Sequence, residues 1–322
     1  MKDTESKYND GFYAGMPFEE YASIKRINFS NLKHLISDTP KHFLYRWKNP
    51  KEPTHAMIDG RLIHEYILET ELFNDKYFPA PTSINEDSEY WKLFDEKEQA
   101  KIKKNPLVIH DKRTSINKMF MSGVQAFAKG KEVIAGNKWE MYKSIKDSLL
   151  SSKFISKILG DKDAYREVTI LWTCPITGAK CKGRLDLYKG SFYVDLKSAV
   201  SANPSRFIWD AKKRLYHAQS AFYCMGVDKL IEDGVGTLSK IEKVILLACE
   251  KEPPYASAPF FMATNSPEIE YGKKICTEAL ETLKHCSKNN SFPGYVSRDG
   301  TSEFIEISMN LNLPDTYDDS EY

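Results

Sequence analysis

Long apolar runs are absent from this sequence. The longest one, residues 244–249, is far shorter than the roughly 20 apolar residues that a transmembrane helix requires. The first residues are polar and of mixed charge, unlike the basic and apolar parts of a secretory signal peptide. We therefore expect a cytoplasmic protein without membrane contact. With 322 residues, of which 41% are hydrophobic, the chain can bury a sizeable core as one large domain or two ordinary ones.

Closely spaced cysteine pairs are also absent. None of the six cysteines belongs to a Cys-x-x-Cys pair, and none lies in the first half of the chain. A zinc knuckle or an iron–sulfur cluster is therefore not expected. Buried, reduced thiols are the simplest interpretation of these residues. They are Cys174, Cys181, Cys224, Cys249, Cys276 and Cys286.

A strong net charge is missing as well, since the formal charge is +1 at pH 7 and the pI is about 7.6. Nucleic-acid-binding domains are usually basic as a whole, so any binding to nucleic acid must depend on local patches. Each candidate patch is more often a solvated helix face than a phosphate-binding track. The candidates are residues 101–104, residues 129–131, and Lys212, Lys213 and Arg214.

Two short runs of alternating apolar residues meet at Lys189-Gly190. This pattern predicts a β-hairpin. With a two-residue loop at that point, Asp195 lies opposite Arg184, and Asp186 lies diagonal to Asp195 on the same face. Lys197 points the same way, because side chains alternate along a strand. The other face would carry the apolar residues Leu185, Leu187, Phe192, Val194 and Leu196.

Residues 165–172 are predicted to form a third strand, which a Pro-x-x-Gly turn joins to the hairpin. If Ile176-Thr177 is at the centre of that turn, Glu167 lies opposite Asp186. Three carboxylates and a lysine then converge on one patch. Carboxylates held this close repel one another, so the patch is stable mainly when a cation neutralises it.

Four motifs occur in order along the chain: an opening pattern, a helix with a histidine, an acidic signature and a Gln-x-x-x-Tyr pair. Asp186 followed by Asp195-Leu196-Lys197 resembles the Asp…(Asp/Glu)-x-Lys signature of the PD-(D/E)xK nuclease superfamily. The pair Gln219 and Tyr223 is similar to the Gln-x-x-x-Tyr motif of its RecB-type branch. Upstream, the helix that carries His64 resembles the His-bearing first helix of that branch. Asp-x-Lys alone occurs by chance in most long chains, whereas the ordered set is specific.

The opening pattern extends this resemblance to the RecE-type nuclease domains. It consists of residues 30–32, residues 38–43 and residues 56–60. The resemblance covers residues 27–223. It implies an α/β fold with a restriction-endonuclease-like core, in which helices flank a mixed central sheet and a helical region precedes it. The implied activity is that of a metal-dependent exodeoxyribonuclease that degrades linear double-stranded DNA.

The resemblance also implies roles for individual residues. Asp186 and Asp195 would hold one or two Mg²⁺ ions, with Mn²⁺ as the alternative. His64 and the backbone carbonyl of Leu196 would complete the metal site. Glu167 would bind the metal directly or through water. Lys197 would orient or deprotonate the attacking water and stabilise the developing charge. Gln219 and Tyr223 would hold the site or a DNA strand. The basic residues Lys212, Lys213 and Arg214 would face phosphates.

The resemblance implies partners too. We expect double-stranded DNA ends as substrate, a homo-oligomeric ring, and a single-strand annealing protein of the RecT type in phage-derived recombination. Related Cas4- and AddB-type nucleases carry four cysteines for an iron–sulfur cluster. This chain lacks their Cys-rich C-terminal run, so no such cluster is expected.

The chain is expected to divide into three parts. Residues 1–26 would form a flexible N-terminal arm, because they are polar with scattered aromatic residues. Residues 27–310 would form a single nuclease domain, with a mainly helical part over 27–160 and the α/β catalytic core over 161–310. An acidic tail would follow over residues 311–322.

Apolar periodicity, caps and breaks predict further elements. The helix after the hairpin would begin at Asn203 and end at Gly226, carrying both Lys212 and Tyr223. Trp139 and Tyr142 are expected in the core. Other helices are predicted from Ser30 onward and over residues 57–68, 114–127, 144–159 and 267–288, and strands over 243–250 and 258–264.

Three other interpretations remain open. The chain could be an endonuclease of the same superfamily, or a non-catalytic DNA-binding protein on a nuclease fold. The motifs could also be chance matches on a charged sheet surface. For His64 alone, a half-buried histidine with a backbone partner is the usual case.

Overall fold

The structure is a computed structural model that describes residues 7–84, 86–104, 107–108, 124–125, 127–236 and 238–295. The strands are β1 (Gly11–Tyr13), β2 (Tyr77–Pro79), β3 (Ser83–Ile84), β4 (Leu107–Val108), β5 (Glu132–Ile134), β6 (Tyr165–Thr173), β7 (Lys180–Lys189), β8 (Phe192–Ala199), β9 (Lys243–Glu250) and β10 (Ser257–Ala263). The helices are α1 (Phe18–Ser23), α2 (Phe29–Ser37), α3 (Pro40–Lys48), α4 (His55–Leu68), α5 (Thr70–Lys76), α6 (Glu96–Lys104), α7 (Gly136–Ser151), α8 (Lys153–Leu159), α9 (Pro204–Lys213), α10 (Tyr216–Glu232) and α11 (Pro267–Asn289). A short 3₁₀ helix spans Glu89–Leu93.

A six-stranded mixed sheet organises the fold, in the order β1-β6-β7-β8-β9-β10. All neighbouring strands are antiparallel except β8 and β9, which run parallel. Parallel neighbours need a long crossover, and α9 and α10 provide it. The predicted α/β architecture with a mixed sheet and flanking helices is confirmed. No helix among the described residues is long and apolar enough to cross a membrane.

Each face of the sheet is covered by its own apolar cluster. Alternate residues of β9 point to opposite faces, as side chains in a strand must. Val244, Leu246 and Ala248 pack with residues of α2, α3, α10 and α11. Ile245 and Leu247 pack with residues of α4, α5, α7 and α8. A sheet covered on both faces explains the uninterrupted apolar run at 244–249.

The N-terminal segment differs from the expected flexible arm. Over its described residues, strand β1 pairs with β6, and α1 follows with Tyr21 buried. The Lys182 ammonium of β7 donates to the carbonyls of Tyr21, Ala22 and Ile24 at 2.8, 3.3 and 2.7 Å. These carbonyls lie at or just beyond the C-terminal end of α1, where backbone acceptors lack partners within the helix. The segment is therefore part of the packed fold.

The helix predicted from Asn203 to Gly226 is in fact two helices. Asn203 caps α9 as expected, but Leu215 adopts a left-handed conformation with φ 60° and separates α9 from α10. Gly226 does not end α10, because it is buried against Trp172 inside the helix. A Cβ there would lie 2.8 Å from the indole ring. Consequently Lys212 is on a different helix from the Gln219–Tyr223 pair.

Most of the other predicted elements are confirmed, with shifted boundaries. The helix expected from Ser30 starts one residue earlier, because Asn28 forms a capping box with Asn31. The segment 144–159 is divided between α7 and α8 at Ser152, which caps α8. The core positions of Trp139 and Tyr142 are confirmed. The six cysteines are buried and free. The helix predicted at 114–127 and the tail at 311–322 lie largely or wholly outside the described residues.

Candidate metal centre and active site

The hairpin that carries the acidic motif has a different register from the predicted one. Its loop is Gly190-Ser191, and Lys189 pairs with Phe192. Phe192 does not face Leu187, and its side chain is 39% exposed rather than buried. A shift by two residues leaves every side chain on its original face but changes its partner. Asp195 therefore occupies the position opposite Asp186, and the predicted diagonal arrangement with Arg184 opposite Asp195 is wrong.

The β7–β8 ladder ends just before this pair of aspartates. The last backbone pair is Leu187 with Val194. Beyond it, the Leu196 amide donates to Asp186 Oδ2 at 2.7 Å. A side-chain carboxylate thus replaces a backbone acceptor where the ladder stops. The predicted metal contact of the Leu196 carbonyl remains a prediction.

Glu167 lies in an interruption of the β6–β7 ladder. The predicted register holds on both sides of it, where Val168 pairs with Leu185 and Arg166 with Leu187. Glu167 itself forms no ladder pair with Asp186 and has φ 48°. A non-glycine residue in this region costs of the order of 1–3 kcal/mol and is concentrated at functional sites.

The predicted apolar face of the hairpin is divided at the same point. Leu185 packs in the cluster that contains Val168, whereas Leu187 packs in the cluster on the other face together with Val194 and Leu196. The alternation of side chains along β7 is therefore broken at the level of Asp186. Because of this break, the carboxylates lie within reach of α4, which packs on the other face of the sheet.

Helix α4 brings His64 to the carboxylates. His64 Nδ1 lies 3.3 Å from Asp186 Oδ2 and 4.0 Å from Glu167 Oε1. The three residues each offer a ligand atom, and these atoms lie within 4.8 Å of one another. An imidazole nitrogen with two carboxylates is a donor set that binds divalent cations. The three residues therefore fit a metal centre.

The charges of this centre favour an added cation. Burial raises the pKa of Glu167 to about 7, and the nearby Asp186 carboxylate adds to that effect. Burial also raises the pKa of Asp195 to about 6. Burial opposes the charged form of His64, but the carboxylates outweigh it and raise its pKa to about 9. The raised pKa of His64 reports the negative charge of the carboxylates around it, which an added cation would neutralise.

Lys197 lies next to this centre in a fixed position. Its ammonium pairs with Asp195 Oδ2 at 2.7 Å, donates to Gln219 Oε1 at 2.9 Å and lies 4.4 Å from the centre of the Tyr216 ring. Burial acts against the charge, but the Asp195 and Asp186 carboxylates raise the pKa of Lys197 overall. A lysine that stays protonated is suited to orienting water and stabilising negative charge, rather than to removing a proton.

The family of the chain follows from its sequence and agrees with this geometry. The model of the PDDEXK-like domain of unknown function (DUF3799) matches residues 28–302. The chain belongs to this family. Its fold and family support a nuclease, and nucleases of this kind generally use divalent metals, which the trio of His64, Glu167 and Asp186 could hold.

One solved structure shares the fold, and a second aligns over part of this chain. A candidate exonuclease from Eubacterium rectale aligns with a TM-score of 0.50 at 13% identity, over 85% of this chain and 87% of that chain. The protein SSO0001 aligns with a TM-score of 0.26 at 18% identity, over 44% of this chain and 67% of that chain. No curated protein matches the sequence.

Arg184 is a residue of this PDDEXK-like site that the sequence pattern missed. Its Nε donates to Glu167 Oε2 at 2.5 Å, and its Nη1 donates to the Met16 carbonyl at 2.8 Å. Arg184 thereby joins the metal trio to the N-terminal segment. Its position two residues before Asp186 on the same strand was the available signal, but the wrong hairpin register placed it opposite Asp195.

The predicted DNA-binding residues lie on α9 and α10 and just after α9. Lys212 and Lys213 are exposed near the end of α9, and Arg214 follows them as its C-cap. Gln219 and Tyr223 lie on α10, where Gln219 Nε2 donates to the Tyr223 hydroxyl at 3.2 Å. Because Gln219 also accepts a hydrogen bond from Lys197, the pair helps to position that lysine. Its contact with DNA stays a prediction.

Proposed function

We propose that this protein is a Mg²⁺-dependent exodeoxyribonuclease that degrades linear double-stranded DNA and exposes single strands for recombination. The observation that carries this proposal is the convergence of an imidazole and two carboxylates beside a fixed, protonated lysine. The family membership supports nuclease chemistry. A phosphodiester is the substrate that such a set of groups suits, because its hydrolysis concentrates negative charge on the phosphoryl oxygens.

His64, Glu167 and Asp186 would hold the divalent cation, and Asp195 would provide a further carboxylate one strand away. Oxygen ligands favour Mg²⁺, and Mn²⁺ is the alternative. When bound, the cation would lower the pKa of a water molecule and neutralise charge on the phosphate. Asp186 has a second task in the chain itself, since it holds the Leu196 amide and so fixes the strand that carries Asp195 and Lys197.

Lys197 would orient the attacking water and stabilise the charge that develops on the phosphoryl group. Asp195 and Gln219 hold its ammonium from two sides, which restricts the long side chain to one position. Preorganised charge of this kind is worth more in a buried site than in water.

Digestion from DNA ends is supported by the RecE-type motifs and by the likeness in fold to the candidate exonuclease from Eubacterium rectale. The basic residues Lys212, Lys213 and Arg214 would contact the phosphates of the bound strand. A homo-oligomeric ring around DNA and a RecT-type annealing partner belong to the same proposal.

The test is digestion of matched linear and closed-circular duplex DNA of one sequence, with Mg²⁺ or with EDTA. We expect loss of the linear form only, in the presence of Mg²⁺, and no digestion by the Lys197→Ala variant. The matched control is Lys189→Ala in the same hairpin, because the Lys189 ammonium pairs with the exposed Asp163 at 3.2 Å, away from the trio. This control should digest normally.

Two results would replace the proposal with one of its alternatives. Cleavage of the circular form would indicate an endonuclease. Retained DNA binding without cleavage of either form would indicate a non-catalytic DNA-binding protein.

A further inference from the structure

Helix α9 exposes apolar side chains that the core does not use. Phe207 anchors the helix, since it is 2% exposed and stacks on Phe260 of β10 with ring centres 4.5 Å apart. The next two residues point outward: Ile208 is 60% exposed and Trp209 is 50% exposed. An exposed tryptophan beside a second large apolar residue is a common feature of binding surfaces.

Positive charges surround this tryptophan. Lys213 Nζ lies 4.6 Å from the centre of the Trp209 ring. Residues three and four positions apart on a helix share a face, so Lys212 and Lys213 both lie beside Trp209. The helix has one acidic residue, Asp210, and it lies 3.9 Å from Arg214. The outer face of α9 thus combines an aromatic surface with cations.

Helix α9, which carries this face, packs near the candidate active site. The Tyr216 ring lies 4.4 Å from the Lys197 ammonium on one side and 6.2 Å from the ring centre of Phe207 on the other. Trp209 is two residues farther along α9 than Phe207, a rise of about 3 Å along the helix axis. Two residues are also about 200° of rotation around the helix, so Trp209 points to the side of α9 opposite Phe207. A nucleic-acid strand that continues from Lys197 around this helix would meet its outer face.

We infer that Trp209 is a stacking platform for an unpaired nucleotide next to the DNA end, with Lys212 and Lys213 holding the flanking phosphates. This inference rests on the proposed function and deepens it, because it names the form of the substrate. Aromatic side chains stack on any base, and cations beside them follow the backbone. In an intact duplex the base faces are covered by their neighbours, so the platform requires unpaired nucleotides.

A second copy of this chain, related by a two-fold axis, is a less suitable occupant of the same face. In a two-fold interface the same surface meets itself, so Lys212 and Lys213 of one copy would lie near those of the other. Like charges held together in this way oppose association. A polyanion with flat bases complements both the charge and the aromatic surface.

The experiment measures binding in EDTA, so that cleavage does not interfere. Fluorescein-labelled DNA is used in three forms of one sequence: a single strand, a duplex with a single-stranded tail, and a blunt duplex. We expect Trp209→Ala to weaken binding of the single strand and the tailed duplex by roughly tenfold. Trp209→Phe retains a stacking ring and should keep most of the affinity. The double variant Lys212→Gln, Lys213→Gln should lower the salt dependence of binding for all three forms.

The matched control is Phe154→Ala on α8. Phe154 is 51% exposed and lies between Lys153 and Lys157 in sequence, but it belongs to a helix on the other face of the sheet. Its removal should leave binding of all three DNA forms unchanged. Thermal melting of each variant verifies that the exposed substitutions leave the fold intact.

The outcomes separate this inference from the proposed function. Trp209→Ala could bind tailed and single-stranded DNA as the wild type does, while the wild type digests DNA. In that case the role inferred for Trp209 is wrong, and the proposed nuclease function is unaffected. If the wild type neither binds nor digests DNA, both the proposed function and the role inferred for Trp209 are wrong. If Trp209→Ala converts an oligomer to monomers in sedimentation at unchanged DNA affinity, the face is a self-interface and the inference is overturned.

Discussion

The ring of Tyr223 occupies the space that a side chain at Gly183 would need. A Cβ built at Gly183 would lie 2.8 Å from Tyr223 Cδ1 and 3.2 Å from Ile170 Cγ1. The Tyr223 hydroxyl accepts a hydrogen bond from Gln219, and Gln219 accepts one from Lys197. Gly183, three residues before Asp186, and the Gln-x-x-x-Tyr pair are thus parts of one chain of contacts that ends at the candidate catalytic lysine.

Replacing this glycine should therefore affect stability and cleavage together. In Gly183→Ala the new methyl group must displace the Tyr223 ring, because both neighbours are packed in the core. Overpacking of this kind costs about 1–3 kcal/mol. We expect a lower unfolding free energy in urea and slower DNA cleavage by the fraction that remains folded, since Gln219 moves with Tyr223.

The matched control is Gly60→Ala in α4. A Cβ there lies 3.7 Å from Ser198 Oγ, an ordinary contact, and alanine favours a helix by about 1 kcal/mol over glycine. This variant should be at least as stable as the wild type. Equal stability of Gly183→Ala and Gly60→Ala would contradict the role given to Tyr223.

Local signals were sufficient to predict the strands and helices that carry the site. The Pro-x-x-Gly turn predicted the β6–β7 register, so that Glu167 was correctly expected at the level of Asp186. Alternation placed Asp195 and Lys197 on one face of β8. The β7–β8 register was missed because moving the loop by one residue, from Lys189-Gly190 to Gly190-Ser191, shifts every cross-strand partner by two residues. Alternation cannot distinguish registers that differ by two.

Other features depend on contacts between distant parts of the chain. The left-handed backbone of Glu167 occurs next to Arg184, which is itself held by the Met16 carbonyl from the N-terminal segment. Gly226 looks like a helix end in sequence, but its role is to admit Trp172. No local pattern encodes such partners, so the packing of residues 7–26 and the bond from Arg184 to the Met16 carbonyl could not be predicted.

A divalent cation should stabilise the folded protein through the trio. A ligand that binds only the folded state raises its stability by about 2.7 kcal/mol at a hundredfold excess over Kd. We expect Mg²⁺ or Mn²⁺ to raise Tm by roughly 5 °C relative to EDTA. Asp186→Asn should remove this shift, because it neutralises the carboxylate that lies nearest to His64.

The control for this measurement is Asp163→Asn, whose exposed carboxylate precedes β6 and pairs with Lys189 at the loop end of the hairpin. Its cation-dependent shift should equal that of the wild type. An undiminished shift in Asp186→Asn would place the cation at another site.

Arg184→Lys should weaken the metal centre without removing a charge. The guanidinium reaches the Glu167 carboxylate and the Met16 carbonyl at once, whereas an ammonium is a point charge that cannot hold both. Glu167 then loses the contact that aims its other oxygen at His64. We expect several-fold more Mg²⁺ to be needed for half-maximal cleavage, with a smaller effect at saturating Mg²⁺.

Arg166→Lys is the matched control, because Arg166 precedes Glu167 and donates to the carbonyls of Ala164, Leu159 and Asp161 instead of to a carboxylate. It should lose stability but keep the Mg²⁺ requirement of the wild type. A Mg²⁺ requirement that rises equally in both variants would show that general loosening of β6, and not Arg184, is responsible.

Because of the buried Lys182, which holds the N-terminal segment, the free energy of unfolding should vary with pH in the alkaline range. Burial lowers the pKa of Lys182 to about 8, from the ordinary value of 10.5. Between these two values the unfolded chain holds a proton that the folded protein has released, so unfolding takes up a proton. Stability that depends on Lys182 must therefore rise with pH over this interval, by at most about 1.4 kcal/mol for each pH unit.

Lys182→Met isolates this contribution, because the other titrating groups cancel when the variant is subtracted from the wild type. The difference in unfolding free energy, measured in urea from pH 7 to pH 10, should change little below pH 8 and then move in favour of the wild type. The same subtraction for Lys189→Met, at an exposed ammonium in the same hairpin, should be flat. The difference in unfolding free energy between the wild type and Lys182→Met could instead stay constant up to pH 10. That result would mean that the carbonyls of Tyr21 and Ile24 keep the ammonium charged in the folded protein. The N-terminal segment would then be fastened by a permanent charge rather than by one that titrates.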